Sequence, residues 1–346
     1  MGTNAKAHLL SAPLRDVETL LESRERARHP WRHWQKGENP FGPNSQLGRK
    51  SRLKLQSHYD CRTPEVVTHQ VSPCGTHKLL LETQYGNKIE TVLIPVKSRT
   101  TLCISSQVGC ARGCRFCVTA TMGLRKNLRA EEILGQVLIG LQKQTEQNLA
   151  PLRNIVFMGM GEPLDNLREV HRTIDQLTDP RTLGFSKRFI TLSTVGPSPY
   201  KISQLRNVGA QLAWSLHAVE PQLRKKLIPT AHHSPEELRE SFIKILTNNH
   251  EGLLIEMTLI AGLNDRAIDA SRLADFLKPL PGTTRINLIP MNPGRVGLEP
   301  TTALRLQNYG KILKAAGYRT LIRTERGSSA NAACGQLQAQ NEKRAL

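Results

Sequence analysis

From about Lys88 onward, short apolar runs alternate with stretches whose apolar residues recur at helical spacing. The runs Thr91–Pro95, Thr101–Ser106, Asn154–Met158, Phe189–Thr194, Gln211–Leu216, Leu253–Ile260, Arg285–Pro290 and Tyr318–Arg323 read as strands. Between them, Arg129–Lys143 places Ile133, Val137 and Leu141 on one helix face, and Pro235–Thr247 opens on the capping sequence Ser234-Pro235-Glu236-Glu237. Ala270–Leu277 and Thr302–Ala315 read as two further helices. Strand–helix alternation predicts a parallel sheet with crossover helices. No Gly-x-Gly-x-x-Gly turn opens a helix, so an α/β barrel, open or closed, fits better than a dinucleotide-binding sheet. In such barrels the chemistry gathers where strands end, which directs attention to the polar residues just after each run.

The first stretch, to about Lys54, reads differently. Val17, Leu20 and Leu21 share one face of a short helix. Beyond them Arg24, Arg26, Arg28, Arg32, Lys36, Arg49, Lys50, Arg52 and Lys54 interleave with Trp31, Trp34 and Phe41, and Asn39-Pro40 and Gly42-Pro43-Asn44 break any helix. Two readings stand side by side: a surface that grips phosphates and stacks bases, or a solvated, partly disordered basic arm.

Composition sharpens this only partly. The 346 residues carry 48 Lys and Arg against 29 Asp and Glu, a formal net charge of +19, which points to a polyanionic partner. With 38% hydrophobic and 22% charged residues the chain is globular. No apolar run approaches the roughly 20 residues that span a bilayer, so no membrane partner is expected. Met1–Pro13 lacks the pattern of a secretory signal, and the expected compartment is the cytoplasm.

The chemistry lies in the cysteines. There are seven, and four crowd into Cys103-Ile-Ser-Ser-Gln-Val-Gly-Cys110-Ala-Arg-Gly-Cys114-Arg-Phe-Cys117. Cys110, Cys114 and Cys117, spaced C-x₃-C-x₂-C, follow an apolar strand and sit in a glycine-containing loop. Structural zinc ordinarily takes four ligands in two pairs, and the sequence has no second C-x₂-C or H-x₃-H. Three thiolates suit a 4Fe-4S cluster with one iron left open. An open iron can chelate S-adenosylmethionine (SAM), and electron transfer then yields a 5′-deoxyadenosyl radical. Cys61 and Cys74 have no partner motif and read as ordinary thiols.

At these residues the chain resembles the radical SAM superfamily, and more closely the RlmN/Cfr-type RNA adenine methyltransferases. The matches run from Glu90 to Leu337. Ile89-Glu90-Thr91-Val92 precedes the cysteine segment, Asn127-Leu-Arg129 opens the next helix, and Met158-Gly159-Met160-Gly161-Glu162-Pro163-Leu164 follows a strand. Ser193-Thr194, Ser215-Leu216-His217-Ala218, Asn287-Leu-Ile-Pro290 and Ala333-Cys334-Gly335-Gln336-Leu337 complete the series. The pairing of Cys103 with a late Ala-Cys-Gly-Gln-Leu is what narrows the resemblance.

The resemblance implies an open (partial) radical SAM α/β barrel with a basic N-terminal accessory region. It suggests a division into residues 1–85, contacting RNA; 86–327, the core; and 328–346, a catalytic-cysteine loop and tail. It implies that Cys110, Cys114 and Cys117 hold the 4Fe-4S cluster, and that Gly161, Glu162, Ser193, Ser215, Leu216, His217 and Asn287 bind SAM. Without it, a glycine turn is mostly loop geometry and a single strand histidine mostly a satisfied core residue. In the family's mechanism Cys334 takes a methyl group from one SAM, and a second SAM supplies the radical that removes hydrogen from that methyl. The carbon radical adds to adenine, Glu90 acts as general base, and Cys103 attacks the thioether sulfur, forming a disulfide and freeing the methylated base. Adenine carbons 2 and 8 are electron-poor, which is why a polar transfer would fail there. The small-residue run Gly327–Gly335 suits a loop that carries a thiol between two positions.

The expected reaction is therefore methylation of adenosine carbon 2 in structured RNA (23S ribosomal RNA, transfer RNA or both). The expected partners are that RNA and an external electron donor, with the protein a monomer. Carbon 8 methylation is the nearest alternative; a catalytically divergent RNA-binding paralogue and a radical SAM enzyme acting on protein or small molecule are further ones. Ser328, Ser329, Ala330 and Val195 depart from the family pattern, as does the N-terminal part, and they bear on the RNA substrate. Arg319, Arg323 and Arg326, just before the Cys334 loop, form a second basic group suited to phosphate contacts.

Overall fold

The computed structural model describes residues 6–42, 45–246, 252–292, 297–323 and 335–337. The chain opens with three helices: α1 (Leu14–Leu21), α2 (Arg24–Gln35) and α3 (Arg49–His58). In α2, Ala27, Trp31 and Trp34 recur at helical spacing and face inward, while the Ser23 hydroxyl caps the first turn by accepting from Arg26 N–H. Trp31 and Trp34 are 1% and 3% exposed and meet edge to face at 5.6 Å. This corrects the base-stacking reading, since the tryptophans belong to the core, and the disordered-arm reading, since residues 24–35 and 49–58 form helices. Arg24, Arg26, Arg32, Arg49 and Lys50 are exposed on the outer faces, whereas Arg28, Arg52 and Lys54 are half-buried.

Strands β1 (Glu65–Val71), β2 (His77–Glu82), β3 (Lys88–Val96) and β4 (Arg99–Cys103) form an antiparallel meander. A small hairpin of β5 (Gln107–Gly109) and β6 (Leu124–Asn127) brackets the cysteine loop. After α4 (Ala130–Glu146) come β7 (Leu152–Phe157), α5 (Leu167–Thr178), β8 (Ile190–Thr194), α6 (Pro199–Ser203) and β9 (Gln211–Ser215). Then follow α7 (Pro221–Leu227), α8 (Pro235–Leu246), β10 (Leu254–Leu259), α9 (Ala267–Leu277), β11 (Arg285–Pro290), α10 (Ala303–Ala315) and β12 (Arg319–Ile322). The eight expected strands and four expected helices are all present, with ends shifted by a few residues.

The ten-stranded sheet has the order β1-β2-β3-β4-β7-β8-β9-β10-β11-β12, and every neighbouring pair from β4 to β12 is parallel. It is a mixed sheet that does not close into a barrel, as expected of an open barrel. A boundary at residue 85 falls in the turn between β2 and β3, and the sheet's hydrogen bonding runs across it. The main core lies between the sheet and its helices, joining Trp31 of α2 to Leu102, Ile155 and Trp214 of the strands. None of the described helices is long and apolar enough to cross a membrane.

Candidate active site

The cysteine loop is held by backbone contacts on several sides. Past β4, Ser106 N–H donates to Met160 O at 2.8 Å, Cys110 N–H to Gly123 O at 3.0 Å, and Arg115 N–H to Leu227 O at 2.9 Å. Gly109 has φ +77°, and a Cβ there would lie 1.8 Å from Gly123 O, so only glycine lets β5 and β6 close this tightly. Arg112 reaches Asp165 at 2.7 Å, fixing the loop's outer turn.

Cys110, Cys114 and Cys117 line one side of a cleft that encloses about 970 Å³ including its open mouth. Burial pushes the Cys110 thiol up to about 12 and the Cys114 thiol well above its ordinary value. Such thiols deprotonate when a metal supplies the compensating charge. Among the described residues no group of three His, Cys, Asp or Glu side chains converges on a single metal ion. The three thiols, the enclosing loop and the cleft fit the group that the sequence implied.

The opposite side is built from strand ends. After β7, a Cβ on Gly159 would sit 2.7 Å from Ile104 O, and one on Gly161 (φ +105°) 2.7 Å from the Gln107 side chain. The turn is pressed against the cysteine loop and has no room for larger residues. Glu162 is buried; its Oε1 accepts from Thr194 Oγ1 at 2.7 Å and Leu164 N–H at 3.0 Å, and its Oε2 from Val195 N–H at 3.0 Å. Burial raises its pKa against the opposing pull of these donors.

His217 also lines the cleft, with backbone φ +60° and its ring edge-on to Phe116 at 4.7 Å. Its Nδ1 accepts from Thr258 N–H at 3.0 Å, which puts the ring proton on Nε2. Burial, with Arg224 beside it, pushes the pKa down to about 3, so the ring is neutral. Arg224 is itself buried, its pKa lowered to about 10, and it donates to the Leu216 and Val195 carbonyls.

Ser193 and Ser215 line the same wall. Leu216 directly follows Ser215, and Asn287 stands half-buried beside Glu256 on β11, on the sheet face that Glu256 turns to the cleft. Leu216 N–H donates to Glu256 O at 3.1 Å, and the Asn287 amide reaches Glu256 Oε1 at 3.5 Å. The sequence reading missed Glu256. Its signal was a single acid inside the otherwise apolar run Leu253–Ile260.

Cys103 and Glu90 lie around the corner. Sheet register aligns Leu80 with Glu90 and Val92 with Cys103, and then Cys103 with Val156, so these side chains share one face. Cys103 belongs to a small buried apolar cluster with Val92, Val156, Met160 and Leu337. Glu90 is buried and paired with Lys78 at 3.2 Å, a partner the sequence reading did not single out. Cys334 lies outside the described residues, as do Arg326, Ser328, Ser329 and Ala330. The residues after it are described: Gly335 O accepts from Val118 N–H at 2.6 Å, Leu337 O accepts from Thr119 Oγ1 at 2.6 Å, and Gly335 and Leu337 line the cleft.

An open mixed sheet, parallel from β4 to β12, with a three-cysteine loop at its strand ends defines the class, a radical SAM protein, and residues 104–274 match the radical SAM superfamily. The chain is similar to the dual-specificity RNA methyltransferase RlmN of Marinomonas sp. (strain MWYL1), 39% identical over 92% of this chain and 88% of the relative. It is likewise similar to the enzymes of that name from Marinobacter nauticus (38%, covering 97% and 94%) and Lawsonia intracellularis (40%, covering 93% and 92%). A crystal structure of a radical SAM methyltransferase from Sphaerobacter thermophilus superposes with a TM-score of 0.88 at 34% identity, covering 96% of this chain and all of that one. The chain belongs to the RlmN family of radical SAM RNA methyltransferases.

Proposed function

We propose that the protein methylates carbon 2 of an adenosine in structured RNA (ribosomal, transfer or both) by a relay between Cys334 and Cys103. One observation carries this reading. The segment directly after Cys334 enters the cysteine-lined cleft, and its Leu337 packs in the same buried cluster as Cys103. A methyl-bearing Cys334 would thus work between the cofactor cleft and the resolving thiol.

Cys110, Cys114 and Cys117 would hold the 4Fe-4S cluster, with SAM against Gly161, Glu162, Ser193, Ser215 and His217. Leu216, just after β9, and Asn287, beside Glu256 on β11, would complete the SAM contacts. Bound there, cluster and SAM would supply a methyl group and a 5′-deoxyadenosyl radical. The chain's own residues do the rest. Cys334 accepts the methyl and presents it; the radical formed on that methyl carbon adds to the adenine ring. Glu90, held by Lys78 on the face it shares with Cys103, accepts the proton lost from the ring. Cys103, as a thiolate, attacks the Cys334 sulfur and closes a disulfide; the released methylene carbon takes up a proton to become the methyl group, and the adduct's unpaired electron would return to the cluster.

The relatives, described as dual-specificity RNA methyltransferases, support an RNA substrate, and the +19 charge suits one. The protein would act in the cytoplasm as a monomer, taking electrons from an external donor. Residues 1–85 would help hold the RNA through the outer faces of α2 and α3, and 328–346 would carry the mobile thiol. The test is holoprotein incubated with SAM, a reductant and either ribosomal or transfer RNA, the RNA then digested and its nucleosides weighed by mass spectrometry. 2-Methyladenosine in at least one RNA supports the reading. 8-Methyladenosine would move the target to carbon 8, and unmodified adenosine in both RNAs would sink the substrate assignment.

A further inference from the structure

Glu256 stands on β10 between two neighbours in register, Ser215 on β9 and Asn287 on β11. It is buried yet lines the cleft. Its Oε2 accepts from Ser193 Oγ at 2.6 Å and Ser215 Oγ at 3.3 Å, and its Oε1 from the Asn287 amide nitrogen at 3.5 Å. The two serine oxygens are themselves 3.1 Å apart. Among the described residues these side-chain partners are all neutral.

A carboxylate only accepts hydrogen bonds, whereas a hydroxyl both donates and accepts. Facing Glu256, the Ser193 hydroxyl must spend its one proton on the carboxylate, and Ser215 must spend its proton on the carboxylate or on Ser193. Their lone pairs are then what remains for the cleft. Asn287 is likewise forced to turn its NH₂ toward Glu256. A pair of serines that on their own would bind donors or acceptors alike is thereby given a single polarity.

We propose that Glu256 is a positioning residue that makes this stretch of the cleft an acceptor-only wall, selecting a ligand that offers hydrogen-bond donors there. This deepens the proposed cofactor site and rests on the reading that the cleft takes SAM, whose hydroxyl, amine and ammonium groups are donors. Replacing Glu256 by Gln keeps its size and adds a competing NH₂ donor, so the serine hydroxyls no longer have one orientation. Replacing it by Asp shortens the side chain but keeps the acceptor-only chemistry. An acceptor wall therefore ranks Asp above Gln, and a role in packing or shape ranks Gln above Asp.

The experiment is equilibrium binding of SAM, without reductant, to anaerobically reconstituted holoprotein, with iron content and melting temperature recorded for each variant. Wild-type holoprotein that fails to bind SAM would defeat the cofactor reading itself. Given wild-type binding, Glu256→Gln is expected to weaken SAM about 10- to 100-fold with iron retained, about the cost of leaving one or two buried polar groups mispaired. Glu256→Asp is expected to weaken it less. Gln binding as tightly as wild type, or more tightly than Asp, would overturn the proposal. Ser193→Ala, which leaves the carboxylate in place, is the second variant should Glu256→Gln not fold. It too is expected to weaken SAM, and unchanged binding would count against the acceptor wall.

Discussion

The two sides of the site are built on opposite plans. The strand ends from β7 to β11 form a polar wall whose side chains are already bonded to one another: Glu162 to Thr194 and Val195, and Glu256 to Ser193, Ser215 and Asn287. The face shared by β3 and β4 is mostly apolar, with Cys103 among Val92, Val156, Met160 and Leu337 and one ion pair, Lys78–Glu90, at its edge. The difference separates two demands. A polar cofactor needs fixed partners before it arrives. A thiol that must meet a second thiol needs a dry surface and a tail that reaches it.

The largest expected effect lies where the two plans depend on a third element, the cysteine loop. Cys114→Ala, purified anaerobically, should lose its iron and fall to background activity in the nucleoside assay, while retaining fold by circular dichroism. Full iron content would mean that the ligands are wrongly assigned. Next is the apolar face. Glu90→Gln should keep iron and SAM binding and lower single-turnover methylation on the order of 10²- to 10⁴-fold, the usual cost of losing a general base. Weaker SAM binding in that variant would erase the distinction between the two sides.

Stability sharpens the contrast with a region remote from both. Trp31→Ala should cost about 3–5 kcal/mol in urea unfolding, as for other large core aromatics, without changing iron per folded protein. The smallest effect is expected at the rim. Arg323, whose guanidinium touches Met158 Sδ at 3.9 Å, lies where β12 leads toward the Cys334 loop. Arg323→Ala should weaken RNA binding severalfold and lower the salt-dependence slope by about one, leaving SAM affinity unchanged.

What the sequence made legible follows from what each pattern encodes. Buried parallel strands such as Leu253–Ile260 read as apolar runs because both faces are covered. The cysteine spacing read as a cluster loop because metal ligation constrains neighbours in sequence. The α2 helix was misread because its buried positions Ala27, Trp31 and Trp34 are separated by Arg28 and Arg32, and the charges hide a regular apolar stripe. The hairpin of β1 and β2 gave no clean alternation, since Leu79, Leu80 and Leu81 are buried on both faces. Glu256 and Lys78 escaped notice because their meaning is pairwise: a strand acid or lysine acquires a role only when register sets it beside Ser215 or Glu90.

The most direct test of the two-thiol account is Cys103→Ala holoprotein turned over with SAM, a reductant and RNA, then denatured and digested for mass spectrometry. With the resolving thiol gone, the account predicts a stable covalent adduct joining the Cys334 peptide to an adenosine through one carbon, and little released methyladenosine. Normal release of methyladenosine with no adduct would contradict it.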